Sequence, residues 1–356
     1  MRKSKILLIV LVAAVALAFL AIILYQPTEN LENIETETII DMVGREVEIP
    51  LEIDRVLGTS PPTTLMIYML APDKLAGWSF MPNGEYIPQK YRDLPVVGGW
   101  FGTQSGNYEN FIVMNPDVIF EGFHTEGDFR DTIYMRQKKF GDIPVVGVAE
   151  TVDILYLKQS IQFVGKILDV ENQSDELISF YDRMITMVSR RVSDIPDNEK
   201  RRVYYAEGPD GLMTDPKGSP HSQLIEICGG INIADCPLKM GYGRTEVNME
   251  QVISWNPEII IAGDQIFYDK IYSDPRWREI DAVKNHKVYL TPLSPFCWFD
   301  RPPGANTIIG IPWTAKILYP EKFDDIDIRD LTKEFYSKFY HYELTDEEVS
   351  QLLNGV

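Results

Sequence analysis

Two kinds of side chain able to recognise a ligand gather in the irregular parts of this chain. Aromatic residues stand in segments without helical or strand periodicity: Trp100 with Phe101, Tyr242, and Trp298 with Phe299. Their flat, stiff rings suit a bulky planar or aromatic ligand. Two arginines stand beside them, Arg244 and Arg301, and a guanidinium meets carboxylate-like oxygens through paired hydrogen bonds. His124, just past an apolar run, adds a group for ligand or metal, beside the plainer reading of a solvated loop histidine. Trp298 and Phe299 also read as core residues, and Arg301 as an ion-pair partner of Asp300. The two readings of each stand side by side at this point.

Catalytic signatures are missing. There is no Gly-x-Ser-x-Gly, no Gly-rich phosphate loop ending in Lys-Ser/Thr, and no His-Glu-x-x-His. The histidines are scattered at 124, 221, 286 and 341, which argues against direct coordination of a bare transition ion; His221 reads as stabilising a helix start. Glu121 with His124 offers the one thin route to a reductase or hydrolase. The expectation is a protein that is not an enzyme and has no resident cofactor or metal.

Such loops need a scaffold, and a duplicated stretch points to it. Residues 107–122 and 248–263 align without a gap, with Asn107/Asn248, Glu109/Glu250, Ile112/Ile253, Asn115/Asn256, Pro116/Pro257, Ile119/Ile260 and Gly122/Gly263 identical. Each copy reads as an Asn-capped short helix, stopped at Pro and followed by a buried β-branched strand. Helix into buried strand, twice, implies two similar α/β lobes. Further βα alternation from Arg55 to Val148 and from Arg202 to Leu290 makes each an open parallel sheet. Between them, residues 171–195 carry apolar residues at helical spacing without Gly or Pro, long enough for a stiff connector or for an ordinary lobe-packing helix. The organisation expected is a signal or membrane anchor at 1–25, a linker at 26–40, an N-terminal lobe at 41–170, the connecting helix at 171–195, a C-terminal lobe at 196–320 and a helical tail at 321–356.

The N-terminus places the chain. Arg2, Lys3 and Lys5 precede an apolar run from Ile6 to Tyr25, and acidic sequence follows. That asymmetry exports the remainder, either anchored on the extracytoplasmic face by residues 6–25 or released by cleavage. The net charge of −19 makes nucleic acid or an anionic membrane surface an unfavourable partner. Cys228, Cys236 and Cys297 show no Cys-x-x-Cys spacing; they read as small core residues, with a Cys228–Cys236 disulfide as the alternative.

Taken in order, Ser60-Pro61-Pro62-Thr63-Thr64, Gly98-Gly99-Trp100-Phe101-Gly102, Asn107-Tyr108-Glu109, Asn115-Pro116-Asp117, the run from His221 to Asn232, Asn248-Met249-Glu250 and Asn256-Pro257-Glu258 resemble the periplasmic-binding-protein family of ABC importers. The resemblance spans about residues 39–320 and is closest to the subgroup for ferric siderophores, haem and cobalamin. It implies two α/β lobes joined by a long rigid helix, with the ligand in a cleft between them. It also implies a permease dimer with its ATPase as partner, met by one surface glutamate per lobe, and Glu109 and Glu250 hold those positions. The ligand it implies is a small-molecule metal chelate, a ferric siderophore or related iron complex, with a corrinoid or haem as alternative and an extracellular chelate sensor as a different role. Trp100, Phe101, His124, Tyr242, Arg244, Trp298, Phe299 and Arg301 are the expected ligand contacts, on a monomeric protein.

Overall fold

The computed structural model describes residues 35–122, 128–239 and 243–353. The apolar run from Ile6 to Tyr25, His124 and Tyr242 lie outside them. Among the described residues no helix is long and apolar enough to cross a membrane. Met1–Thr36 is one unit, almost wholly undescribed, and Glu37–Val356 is one compact unit.

That compact unit is a mixed α/β structure built on two parallel sheets. β1 (Thr36–Ile40) and β2 (Glu46–Pro50) form a small ribbon, so the last residues of the segment read as linker are strand. β1 is mostly exposed and pairs two adjacent isoleucines with Thr-Glu-Thr, which hides the usual apolar alternation. Buried Asp41 ties the ribbon to the first sheet by pairing with Arg45 and accepting the Gly147 amide at 3.1 Å. That sheet has the order β3 (Val56–Gly58), β4 (Val118–Glu121), β5 (Val145–Gly147). The second lobe contributes β6 (Arg202–Ala206), β7 (Met213–Thr214), β8 (Ile231–Asn232), β9 (Thr245–Glu246), β10 (Ile259–Ala262) and β11 (Val288–Leu290). Its parallel sheet runs β11-β10-β6-β8, and β7 pairs with β9 as a short antiparallel ribbon. β4 and β10 are internal strands buried on both faces, which is why they read as unbroken apolar runs.

The duplicated stretch is repeated in its bonding too. Asn107 and Asn248 cap the helices Tyr108–Val113 and Met249–Trp255 with their side chains. Asn115 and Asn256 both take left-handed backbone, φ 45° and 43°, ending the helix before the proline. Next, Asp117 accepts the Arg55 amide at 2.8 Å and Glu258 the Arg202 amide at 2.9 Å, while each arginine side chain donates back to the helix end, at Met114 O and Trp255 O. Ile119 and Ile260 are fully buried strand residues. A methyl group on Gly122 would meet Thr63 Oγ1 at 2.7 Å, and one on Gly263 would meet Tyr205 Oη at 2.7 Å.

The helix expected at 171–195 spans Glu171–Val192 and touches both lobes and the C-terminal segment. Ser174 lies against Gly165 of the first lobe, and Val192 against Gly229 of the second. Gln173 donates to Met69 O at 3.1 Å and to Lys338 O at 2.7 Å, and Arg191 pairs with Asp325. The segment read as a tail is core: Phe335, Tyr336, Phe339 and Tyr340 are wholly buried, and Tyr68 donates to Tyr340 O at 2.6 Å. The three cysteines are free thiols, so the Cys228–Cys236 disulfide is not formed.

Candidate functional site

A cleft of about 200 Å³ opens between the segment that follows β3 and loops of the second lobe. Pro61, Pro62, Phe80, Phe101 and Gly102 line it from the first lobe; His221, Arg244, Arg301, Pro302 and Pro303 line it from the second.

On the first-lobe side, β3 ends at Gly58 and turns into the helix Pro61–Leu70, every residue of which is buried. Thr64 Oγ1 bonds Gly58 O and Ser79 Oγ, which fixes the turn. The Trp100 amide donates to Thr59 O at 2.8 Å, and a side chain on Gly99 would strike that carbonyl, so the Gly98-Gly99 loop must hug the turn. This close approach sets Phe101 and Gly102 beside the two prolines. Trp100 itself points elsewhere: it packs on Tyr108 and Phe111, with the Arg136 guanidinium 3.6 Å above its ring. Glu121 is wholly buried and paired with Arg136 at 3.0 Å, an ion pair and not a general base facing a cleft.

On the second-lobe side a buried charge network carries the chemistry. Glu207 follows β6 and is held by backbone bonds to Met213 in both directions. Arg301 binds Glu207, lies 2.7 Å from Asp215 and 3.3 Å from Asp300, and Arg244 Nε lies 3.2 Å from Glu207. His221 Nδ1 is 2.6 Å from Asp300 Oδ1. Asn306 bonds the carbonyls of Cys297 and Pro302 at 2.7 and 2.9 Å, holding the Arg301 loop from both ends. Both arginines sit in left-handed backbone, φ 60° at Arg244 and 39° at Arg301, a strain of about 1 kcal/mol or more each that clusters at functional sites.

Burial pushes the Glu207 carboxyl up to about 7, against the pull of Arg301 and with help from Asp300. Burial opposes the charge on His221, but the Asp300 carboxylate overrides it and raises the imidazole above its ordinary value. Asp300 is opposed by burial yet held low by His221 and Arg301. Glu207, Asp215 and Asp300 are buried behind the wall, and among the described residues Arg244, Arg301 and His221 are the titratable groups that line the cleft. Ligand atoms of Asp215, His221 and Asp300 converge within 4.8 Å, as a metal site would require. The Arg301 guanidinium already bridges both of those carboxylates, so charge favours the ion-pair network there over a dication.

Of the residues expected at the ligand, Phe101, Arg244 and Arg301 line one cleft, and His124 and Tyr242 fall outside the described residues. Trp298 and Phe299 do not reach it. Trp298 is wholly buried and donates to Tyr336 Oη at 3.1 Å, and Phe299 stacks on Tyr205. The absence of periodicity around them is real, but Gly310 lets the helix Gly310–Leu318 rest on the Trp298 carbonyl and seals the segment. His221, read as a helix-start residue, is a buried partner of Asp300, since the helix begins only at Gln223. Asp300 is legible as the neighbour and ion-pair partner of Arg301, whereas Glu207 and Asp215 carry no sequence signal; Pro61 and Pro62 belong to the Ser60–Thr64 motif.

A family model described as periplasmic binding protein matches residues 59–295. The chain belongs to the periplasmic binding protein family. As a member it is a substrate-binding component of an ABC importer, and its relatives are solute-binding proteins. An ABC transporter solute-binding protein from Sulfurospirillum deleyianum has a similar structure, with a TM-score of 0.81 and 30% identity over 88% of this chain and 98% of that one. The molybdate-binding protein MolA of Haemophilus influenzae is 27% identical over 85% of this chain and 90% of its own length. Its molybdate-bound structure has a TM-score of 0.69 at 25% identity, covering 87% of this chain and 99% of that one. A vitamin B12-binding protein of Salmonella choleraesuis is 22% identical over 59% of this chain and 72% of its own length.

Proposed function

We propose that this family member captures a compact anionic ligand, an oxyanion of the molybdate class, and passes it to a permease. The convergence of Arg244, Arg301 and His221 on one cleft carries the reading, because two guanidinium groups and an imidazole whose pKa Asp300 raises favour a small, oxygen-rich anion at a partly dry surface. Size supports it: about 200 Å³ lies below the roughly 300–1,000 Å³ of pockets that enclose drug-sized ligands, which a ferric siderophore would need. The likeness to a molybdate-binding protein points the same way. The iron chelate suggested by the sequence is the second reading, favoured by the Phe80 and Phe101 rings on the facing wall. Delivery runs through Glu109 and Glu250, both exposed in the first turn of equivalent helices, and residues 6–25 tether the protein outside the cytoplasm.

Isothermal titration of the full chain, stripped of co-purified ligand, tests the ligand class. Molybdate or tungstate should bind in the micromolar range or tighter and lose at least tenfold in Arg244→Gln. Silence toward both anions, with a ferric tricarboxylate chelate or cobalamin bound instead, would overturn the oxyanion reading.

A further inference from the structure

The duplicated stretch has seven identical pairs, and five have local structural causes. The two Asn caps, the two left-handed Asn, the prolines that follow, the buried Ile119 and Ile260, and the crowded Gly122 and Gly263 are what the helix, turn and strand require. Two pairs remain: Glu109 with Glu250, and Ile112 with Ile253. Both isoleucines are solvent-exposed, 43% and 47%, and neither joins a hydrophobic cluster of the described residues. A spacing of three places each Ile on the helix face of its Glu. Among the described residues neither glutamate has an ion-pair partner, so each helix offers a carboxylate and an apolar knob side by side. A single exposed apolar side chain needs no explanation, but this one recurs at the same position in both copies, each time beside the repeated glutamate.

We infer that Glu109 with Ile112, and Glu250 with Ile253, are two copies of one docking device, each seating its isoleucine in an apolar socket beside a cation of the partner. The partner is a dimeric permease with that socket-and-cation pair once on each subunit, since a duplicated device on one chain matches a two-fold partner. This rests on the delivery role proposed above. Charge sets the encounter and orientation, and the isoleucines supply the apolar contact that holds the complex. In the first lobe the device is also wired toward the cleft: its helix packs through Tyr108 on Trp100, with ring centroids 4.7 Å apart, and Trp100 precedes cleft-lining Phe101.

The test is the affinity of the full chain for its permease–ATPase complex in nanodiscs, with molybdate titration and melting temperature as controls. Ile112→Ser and Ile253→Ser should each weaken docking by about five- to tenfold, and the double variant by roughly thirty- to a hundredfold. Melting temperature and molybdate affinity should stay at the wild-type values, and Ile→Leu at both sites should restore docking. If Glu109→Lys with Glu250→Lys abolishes docking while the double Ile→Ser variant docks as wild type, the isoleucine assignment is overturned and the glutamate docking stands. Loss from one Ile but not the other overturns the two-fold device. Unchanged docking in all variants overturns the delivery role and this inference together.

Discussion

Replacing Glu207 by Gln should strengthen anion binding, and by an amount that depends on pH. Glu207 lies behind Arg301 and Arg244, so an anion bound to those guanidinium groups would sit about 7 Å from its charge. At an effective dielectric of about 20, two unit charges at that distance repel by about 2 kcal/mol, roughly thirtyfold in affinity. Burial first, with Asp300 assisting, raises the Glu207 carboxyl to about 7, so wild type carries the repelling charge above neutrality and loses it below. The ratio of wild-type to Glu207→Gln dissociation constants for tungstate should climb from near 1 at pH 6 to about 10–30 at pH 8.5. His221 also favours anions at low pH, because Asp300 raises its pKa against burial, but it titrates in both proteins and drops out of the ratio. Stability has its own sign. A carboxyl raised in the folded state opposes folding as pH rises from its unfolded value of about 4.5 toward 7, so Glu207→Gln should melt above wild type at pH 8 and lose that advantage near pH 5. Calorimetry across this range decides it. A flat ratio, or weaker binding by the variant at every pH, would refute the placement of Glu207 behind the anion site.

Arg301→Ala should remove anion binding and also destabilise by about 3–5 kcal/mol, since Glu207, Asp215 and Asp300 would be left buried without their shared cation; urea denaturation at pH 7.5 measures it. Trp298→Ala should lower stability by about 3–5 kcal/mol, while Trp298→Phe keeps tungstate affinity within twofold, separating a core residue from a ligand contact. Asn256→Ala should cost about 1–2 kcal/mol for its left-handed backbone, and Asn256→Gly less, as read from thermal melts of the two variants.

What the sequence made legible was what is local. The Asn caps, the Asn-Pro stops and the β-branched strands speak through neighbours a few residues away, and the helix Glu171–Val192 through its periodicity. The site is different. Arg301 meets Glu207 across 94 residues and His221 meets Asp300 across 79, so no spacing rule could join them. The two arginines stand out in the sequence because they lie in loops beside aromatic residues; of the carboxylates behind them only Asp300, next to Arg301 in the chain, is legible, and Glu207 and Asp215 are not. Trp298 and Phe299 misled for the same reason inverted. They look like loop residues in sequence, and the groups that bury them, Tyr336, Tyr205 and Gly310, come from three distant segments.

The way the lobes are joined bears on how a ligand is chosen. Phe296, carried from the second lobe, packs on Tyr68, Trp78 and Phe80 of the first and on Tyr340 of the closing segment. Beside it the Asn83 amide donates to Pro295 O at 3.0 Å, and Gln223 bridges to the Ile154 amide and Val152 O. Swinging the lobes widely apart would expose that ring and break those bonds at once, at a cost of about 3 kcal/mol for the ring alone. Closure around a ligand is therefore a small movement, and little of the selectivity can come from reshaping the cleft. On the oxyanion reading proposed above, selectivity is built in beforehand, in two arginines held in strained backbone by buried carboxylates. Such an arrangement suits an ion that offers only charge and oxygens, and on that reading specificity lies in the network behind the cleft wall as much as in the wall itself.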